Sequence, residues 1–122
     1  MTGLIWLIQV VHYPSFRFAP TENFDQFHLF HSSRITWIVL PMMSIEMLTA
    51  LFLAYRLHGL WLLNFGFVIL IWLLTVLVSV PLHQKLTKLK NDDTIKSLVR
   101  TNWLRTAAWT LKSLLLIYLG AS

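Results

Sequence analysis

One apolar stretch of the chain runs from residue 60 to residue 82, reads LWLLNFGFVILIWLLTVLVSVPL and contains no charged side chain. At 1.5 Å per residue, a helix of this length crosses the roughly 30 Å hydrocarbon core of a bilayer. The whole chain is 57% hydrophobic and 12% charged, whereas about a quarter of the residues in a soluble domain are charged. The sequence therefore predicts an all-α integral membrane protein.

The apolar runs predict four helices, at about residues 3–18, 34–55, 60–82 and 98–119. The first would be only about 24 Å long, so we expect a short or truncated span there. Because short connections favour antiparallel neighbours, the expected architecture is an up-down-up-down four-helix bundle. The bundle would form a single transmembrane domain over residues 1–122.

The basic residues are distributed unevenly over the connections between these helices. Arg17 and Arg34 flank the connection between helices 1 and 2, and five basic residues lie within 85–100, between helices 3 and 4. The connection between helices 2 and 3 has only Arg56. Because cytoplasmic connections are enriched in Lys and Arg, both termini are predicted to lie outside the cytoplasm. The expected location is the bacterial inner membrane, with the lipid bilayer as a partner.

Polar residues from all four predicted helices lie near the cytoplasmic ends. Polar groups at membrane level are costly and usually face the bundle interior, so their convergence predicts a pocket for a ligand or cofactor. His58 lies at the opposite end of the bundle. The candidate ligand- or cofactor-binding residues are His12, His28, His31, Arg34, His83, Asn102 and Arg105.

A spacing of 71 residues relates several of these positions. It separates His12 from His83, and it separates the H-x-x-R of His31 from the N-x-x-R of Asn102. Helices 1 and 3 would run in the same direction, as would helices 2 and 4. One interpretation is two copies of a helical hairpin, related by an axis along the membrane normal. In that arrangement His12 would face His83.

Glu46 and Lys112 are predicted to lie at equal depth in the membrane. Each follows an arginine by 12 residues, Arg34 and Arg100 respectively, which places both about 18 Å from the inner boundary. Opposite charges at one depth predict an intramembrane ion pair between helices 2 and 4, because an unpaired charge there is costly. The pair could serve as structural support or as part of a proton relay.

Three kinds of site are compatible with the polar positions. His12, His31 and His83 could bind a mononuclear metal ion, whose ligands must come from more than one helix. Alternatively, His12 and His83 could ligate a haem whose propionates pair with Arg34 and Arg105. A quinone-like or other hydrophobic aromatic ligand would need only a few polar groups in an aromatic pocket.

More ordinary roles are also open for these residues. Arg34 could be an interfacial anchor, and His28 and His31 could form a hydrated patch at the membrane surface. His12 and His83 each lie near a proline and could bind a carbonyl that the proline leaves free. The chain has no cysteine, which excludes a thiolate metal site. Its basic connection also contains two acidic residues, so no nucleic acid partner is expected.

The segments QVVHYPSF, FHLFHSSR, PMMSIE and NWLRTAAW resemble those of a group of small bacterial four-span membrane proteins. The chain is more distantly similar to the small four-helix membrane proteins of the anthrone-oxygenase-like class. The similarity lies in size, topology and the placement of polar residues. It implies oxidation of a hydrophobic aromatic substrate, and it assigns no role to any particular residue.

Three functional hypotheses follow. The first is a membrane redox or oxygenase-type protein whose cytoplasmic-side pocket binds a metal, a haem or a hydrophobic ligand. The second is a non-catalytic accessory subunit that needs a membrane protein partner or a second copy to cover its short first helix. The third is a small transporter or proton conductor that uses Glu46 and Lys112.

Overall fold

The computed structural model describes residues 1–18, 22–88 and 92–121. Within these ranges the chain forms four helical segments and no strand. The only described residues outside the helices are Met1, residues 22–23 and residues 58–59. We name the helices α1 (residues 2–18), α2 (Phe24–Leu57), α3 (residues 60–88) and α4 (Asp92–Ala121). The predicted all-α class is therefore confirmed.

Helices α1 and α3 each contain a widened π-helical turn followed by a proline. In α1 the π-helical residues are Ile8–His12, between Thr2–Leu7 and Tyr13–Ser15, and Phe16–Phe18 is a 3₁₀ turn. In α3 they are Thr75–Ser79, between Leu60–Leu74 and Val80–Lys88.

Pro14 and Pro81 account for the two widened turns. Each lies two residues beyond the end of its π-helical segment. A proline has no N–H to donate and its ring clashes with the carbonyl four residues earlier, which here is at the centre of the π turn. The two segments begin 67 residues apart, at Ile8 and Thr75. The histidines His12 and His83 are 71 residues apart. The π-helical segments and the histidines therefore indicate different offsets between the two halves of a duplicated hairpin.

Helix α2 begins ten residues before the predicted start, at Phe24 instead of residue 34. The prediction followed the apolar run, but a helix needs only backbone hydrogen bonds and does not end where polar side chains appear. No glycine or proline interrupts the chain between Phe24 and Pro41, so nothing stops the helix there. Helix α4 likewise begins at Asp92 instead of residue 98, and its first-turn acids Asp92 and Asp93 suit the positive end of the helix dipole.

Neighbouring helices run in opposite directions. Helix α2 packs against α3, α3 against α4, and α4 against α1. Near one end of the α1–α4 pair the Thr2 and Ser113 hydroxyls form a hydrogen bond, and further along Asn102 donates to Gln9. The turn between α2 and α3 has positive φ at both His58 (53°) and Gly59 (60°), a conformation that glycine adopts without strain.

Two groups of buried side chains form the core. The first lies near the 1–2 and 3–4 connections and contains Ile8, Tyr13, Phe16, Phe24, Leu86, Ile95 and Leu98. The second lies towards the middle of the helices and contains Ile5, Met43, Ile71, Ala108 and Trp109. The polar residues of the candidate site lie between and around these two groups.

Two of the helical stretches, Phe24–Leu57 and Leu60–Leu86, are long and apolar enough to cross a membrane. Only 17% of the most apolar 18-residue window in either stretch is buried inside the protein. Large apolar side chains such as Trp37, Leu48 and Leu77 point outward. Exposed apolar surface on this scale is typical of a protein that contacts lipid or a partner.

Candidate functional site

His28 and His83 form the centre of a hydrogen-bonded chain that joins α1, α2 and α3. His28 Nε2 lies 2.8 Å from His83 Nδ1, and His83 Nε2 lies 3.1 Å from the Tyr13 hydroxyl. Ser32 Oγ lies 3.4 Å from His28 Nε2. His28 is fully buried and stacks on Phe24. A neutral imidazole has one donor and one acceptor nitrogen, so a change of tautomer at His83 lets a proton pass between Tyr13 and His28, whose Nε2 contacts both His83 and Ser32.

His12 and His31 lie beside this chain. Their ring centroids are 5.1 Å apart, and both residues are partly exposed. Phe16 connects the two pairs, because its buried ring packs edge-on against both His31 and His28. The structure thus brings together the four histidines for which the sequence predicts a position at the cytoplasmic ends of the helices.

A second polar group joins α1 to α4 and consists mainly of amides. Asn102 Nδ2 donates to Gln9 Oε1 at 2.8 Å, and Gln9 Nε2 donates to the backbone carbonyl of Val99 at 2.9 Å. The Thr106 hydroxyl contacts Gln9 Oε1 at 3.3 Å, and Arg105 Nη1 donates to Asn102 Oδ1 at 3.1 Å. Buried polar groups are stable only when hydrogen-bonded, so this network fixes the side chain of Asn102.

Arg105 links the amide network to the histidine chain. Its side chain is buried, with 6% exposed, and its guanidinium lies over the ring of Trp109. Nη1 also contacts the hydroxyl of Ser79 at 3.4 Å, and the guanidinium interacts electrostatically with Tyr13. Its Nε is buried without a hydrogen-bond partner. Among the described residues, no carboxylate lies within ion-pairing distance of Arg105.

A cavity of about 220 Å³ lies between α2 and α3, next to Arg105. Its walls are mostly apolar, and four of its polar side chains, those of Tyr13, Ser79, His83 and Arg105, lie next to one another. The lining residues are Ile8, Tyr13, Ile35, Thr36, Val39, Leu40, Met43, Trp72, Thr75, Val76, Ser79, Val80, His83 and Arg105. Leu40, Val76 and Val80 are exposed, so the cavity opens on the outer face of the α2–α3 pair, where a membrane would lie.

Arg34 is the one predicted site residue whose side chain is exposed. Its guanidinium lies over the Phe30 ring at 5.1 Å. The inward face of α2 follows helical spacing through His28, Ser32 and Ile35. Arg34 is offset by about 100° from Ile35, so it points outward.

The structure brings Glu46 and Lys112 together deeper in the protein. Lys112 Nζ lies 4.0 Å from Glu46 Oε2, and the same oxygen accepts a 3.0 Å hydrogen bond from the indole N–H of Trp109. A second cavity, of about 260 Å³, lies beside both residues and is also lined by Asn64. The Oδ1 atom of Asn64 is buried without a hydrogen-bond partner.

The histidine positions do not fit the metal and haem sites considered above. Among the described residues, no group of three or more His, Asp or Glu side chains is arranged to hold a metal ion. His28 and His83 form a direct hydrogen bond, and His12 packs on His31, so the set of His12, His31 and His83 does not converge on one point. The cavity of about 220 Å³ is below the range of roughly 300–1,000 Å³ for drug-sized ligands, and a haem is larger still.

Gln9 and Ser79 are site residues that the sequence interpretation missed. Gln9 is a lone amide within the apolar run IWLIQVV, and a lone polar residue in such a run usually has a partner inside the protein. The sequence therefore contains a signal that identifies Gln9 as a candidate site residue. Ser79 gave no comparable signal, because a serine in an apolar helix can satisfy its hydroxyl on its own backbone.

No family model, curated protein or solved structure matches the chain. The resemblance to small four-span and anthrone-oxygenase-like membrane proteins therefore stays an expectation from sequence. The geometry of the cavity and its polar end carries the functional argument.

Proposed function

We propose that the chain is a four-span inner-membrane protein of the redox or oxygenase type that binds a small hydrophobic aromatic or quinone-like ligand between α2 and α3. One observation carries the proposal. An apolar cavity of about 220 Å³ ends in the polar groups of Tyr13, Ser79, His83 and Arg105.

A membrane environment explains the outer surface of α2 and α3. The apolar core helix of a soluble protein would be largely buried, whereas only 17% of the most apolar window of either helix is buried here. Helices α1 and α4 pack on each other and on the remaining helices, and with them the four-span arrangement would be complete. The basic connections would face the cytoplasm, together with the polar end of the cavity.

The size of the cavity suits a ligand with one ring. An engineered cavity of about 150 Å³ lined by apolar side chains binds benzene. The cavity of about 220 Å³ is therefore large enough for a substituted six-membered ring. A hydrophobic tail would leave through the opening at Leu40, Val76 and Val80 and lie among the lipid chains.

The polar end of the cavity suits an oxygen atom on that ring. Arg105 donates charged hydrogen bonds, and the hydroxyls of Tyr13 and Ser79 can donate neutral ones. A ring carbonyl placed there would receive donors from three helices. Trp72 supplies a flat apolar surface in the wall, and its indole N–H is buried without a partner.

A binding titration tests the proposal. The full chain, purified in detergent and placed in lipid nanodiscs, would be titrated with a short-tailed 1,4-benzoquinone while tryptophan fluorescence is recorded. We expect saturable quenching that is largely lost in Trp72→Phe, because Trp72 lines the cavity.

A blocked cavity and a matched control make the test specific. Val76→Trp places a bulky ring in the opening, so we expect at least about tenfold weaker binding, equivalent to ~1.4 kcal/mol. Leu77→Trp adds the same ring to the neighbouring exposed residue, which does not line the cavity, and should bind like the unchanged chain. Equal binding by both variants would contradict the proposed site.

A further inference from the structure

Arg105 is a buried cation without a carboxylate partner among the described residues. The chain has five carboxylate residues. Glu46 is engaged by Trp109 and Lys112. The other four, Glu22, Asp25, Asp92 and Asp93, are exposed.

The contacts of Arg105 satisfy only part of the guanidinium. Its hydrogen-bond acceptors are the neutral oxygens of Asn102, Ser79 and Tyr13, and its Nε has none. A buried charge is costly unless an opposite charge accompanies it. Helix α2 lines the cavity with no titratable side chain, and the titratable groups that face Arg105 there are Tyr13 of α1 and His83 of α3.

A hydrogen-bonded path leads away from the same point. From Tyr13 it passes to His83 Nε2, and from His83 Nδ1 to His28 Nε2 and Ser32. Ser32 and His83 also line an adjoining cavity of about 240 Å³, which shares Ile35, Thr36, Val80 and His83 with the ligand cavity and includes the exposed residue Gln84. The path therefore starts at the ligand cavity and ends beside this second opening between α2 and α3, towards the predicted cytoplasmic side.

We propose that the ligand is a weak ring-borne acid, such as a phenol or a hydroxyquinone, and that it binds to Arg105 as its anion after giving up a proton. This inference rests on the proposed function. The ligand O–H bond breaks, and its electron pair stays on the oxygen that pairs with Arg105. The proton passes to Tyr13 as the Tyr13 proton moves to His83 Nε2, the proton on His83 Nδ1 moves to His28 Nε2, and His28 then gives a proton to water.

The histidine path distinguishes a phenol from a carboxylic acid as the ligand. A carboxylic acid is already ionised near neutral pH and would arrive without a proton to release. A phenol or hydroxyquinone must lose its proton where it binds. Arg105 and the proton path that begins at Tyr13 both lie where the ligand oxygen would bind. The site therefore offers both a cation for the anion and a route for its proton.

Two probes that differ by a single methyl group test the inference. 4-Nitrophenol has an acidic hydroxyl and changes its absorption spectrum on ionisation, and 4-nitroanisole has the same ring without the acidic proton. Both would be titrated into the full chain in nanodiscs, at a pH below the pKa of free 4-nitrophenol. Nanodiscs without protein give the partition background, and a pH indicator reports proton release.

We expect 4-nitrophenol to bind at least about tenfold more tightly than 4-nitroanisole. The bound form should have the phenolate spectrum, with one proton released for each molecule bound. Equal affinities, with 4-nitrophenol still protonated, would overturn the inference and leave the proposed function standing. Failure of both probes to bind would overturn the inference and the proposed function together.

Arg105→Gln and Arg34→Gln provide the matched variants. Arg105→Gln should reduce the affinity for 4-nitrophenol to that for 4-nitroanisole and leave the second affinity unchanged. Arg34→Gln removes an exposed arginine outside the cavity and should change neither. Unchanged phenolate binding by Arg105→Gln would overturn the inference. If Arg105→Gln does not fold, the comparison of the two probes on the unchanged chain still decides.

Discussion

At the scale of single residues, Arg105 and Arg34 show what sequence spacing can and cannot predict. Both are followed within a few residues by an apolar helical run, and both were expected to face a ligand. Only Arg105 is buried, at 6% exposure, whereas Arg34 is exposed over Phe30. Distance along the helix axis can be read from the sequence. The direction in which a side chain points depends on which face of the helix is packed, and here polar and apolar residues occupy both faces of α2.

The hydroxyl of Tyr13 provides the first prediction. It contacts His83 Nε2 at 3.1 Å and lines the polar end of the cavity. Tyr13→Phe removes only this oxygen, so we expect 4-nitrophenol binding to weaken by roughly tenfold, the effect of one lost hydrogen bond to a charged group. Binding of 4-nitroanisole should not change.

Tyr118→Phe is the control for this variant, because it makes the same chemical change at an exposed residue of α4. It should leave both affinities unchanged. An equal loss in the two variants would mean that Tyr13 acts on stability and not on the ligand. Thermal unfolding of both variants in the same nanodiscs would show this directly.

At the scale of helices, the sequence predicted the existence of all four segments but not their internal geometry. Apolar length is a reliable signal for a helix, and Leu60–Leu74 begins where the apolar run begins. The π-helical turns at Ile8–His12 and Thr75–Ser79 could have been suspected from Pro14 and Pro81. However, Pro41 lies within a regular α-helix, so a proline alone does not predict such a turn.

The widened turn in α3 provides the second prediction. It lies between the cavity residues Thr75 and Ser79 and precedes His83 by a single turn of helix. Pro81→Ala restores the missing N–H and should convert the π turn to a regular α turn. The residues on the two sides of the turn would then rotate relative to each other, and His83 would lose its contact with Tyr13. We expect 4-nitrophenol binding to weaken by at least about tenfold.

Pro41→Ala is the matched control, because this proline is exposed and no widened turn precedes it. It should bind 4-nitrophenol like the unchanged chain. A difference in the amide chemical shifts of residues 75–83 between Pro81→Ala and the unchanged chain would confirm the change of helical geometry. Unchanged shifts together with unchanged binding would show that Pro81 does not maintain the π turn.

At the scale of the whole molecule, composition predicted a membrane protein, and the structure supports this in its two most apolar helices. The other two helices could be predicted less securely because polar contacts take up much of their surface. Gln9 in α1 contacts Asn102 in α4, and Lys112 of α4 lies near Glu46 of α2. Such contacts lower the apolar content of a helix without preventing it from crossing a membrane, since the polar groups are satisfied inside the protein.

The predicted orientation can be tested directly, because the chain has no cysteine. Single cysteines would be introduced by Arg56→Cys, at the end of α2, and by Lys88→Cys, at the end of α3. If all four helices span the inner membrane, position 56 faces outward and position 88 faces the cytoplasm. A membrane-impermeant maleimide added to spheroplasts should then label only the first variant. After lysis it should label both.

The opposite pattern, with only Lys88→Cys labelled in intact spheroplasts, would place the histidine cluster on the outer side and would reverse the direction of the proposed proton path. Arg56→Cys removes a basic residue from the predicted outer connection and so favours the predicted orientation, whereas Lys88→Cys removes one from the predicted cytoplasmic connection and opposes it, so the two variants must agree. Labelling of both variants before lysis would show that the chain lies on the membrane surface. In that case lipid chains would not surround α2 and α3, so a protein partner or a second copy of the chain would have to cover their apolar faces. The opening of the cavity at Val76 and Val80 would then face that partner.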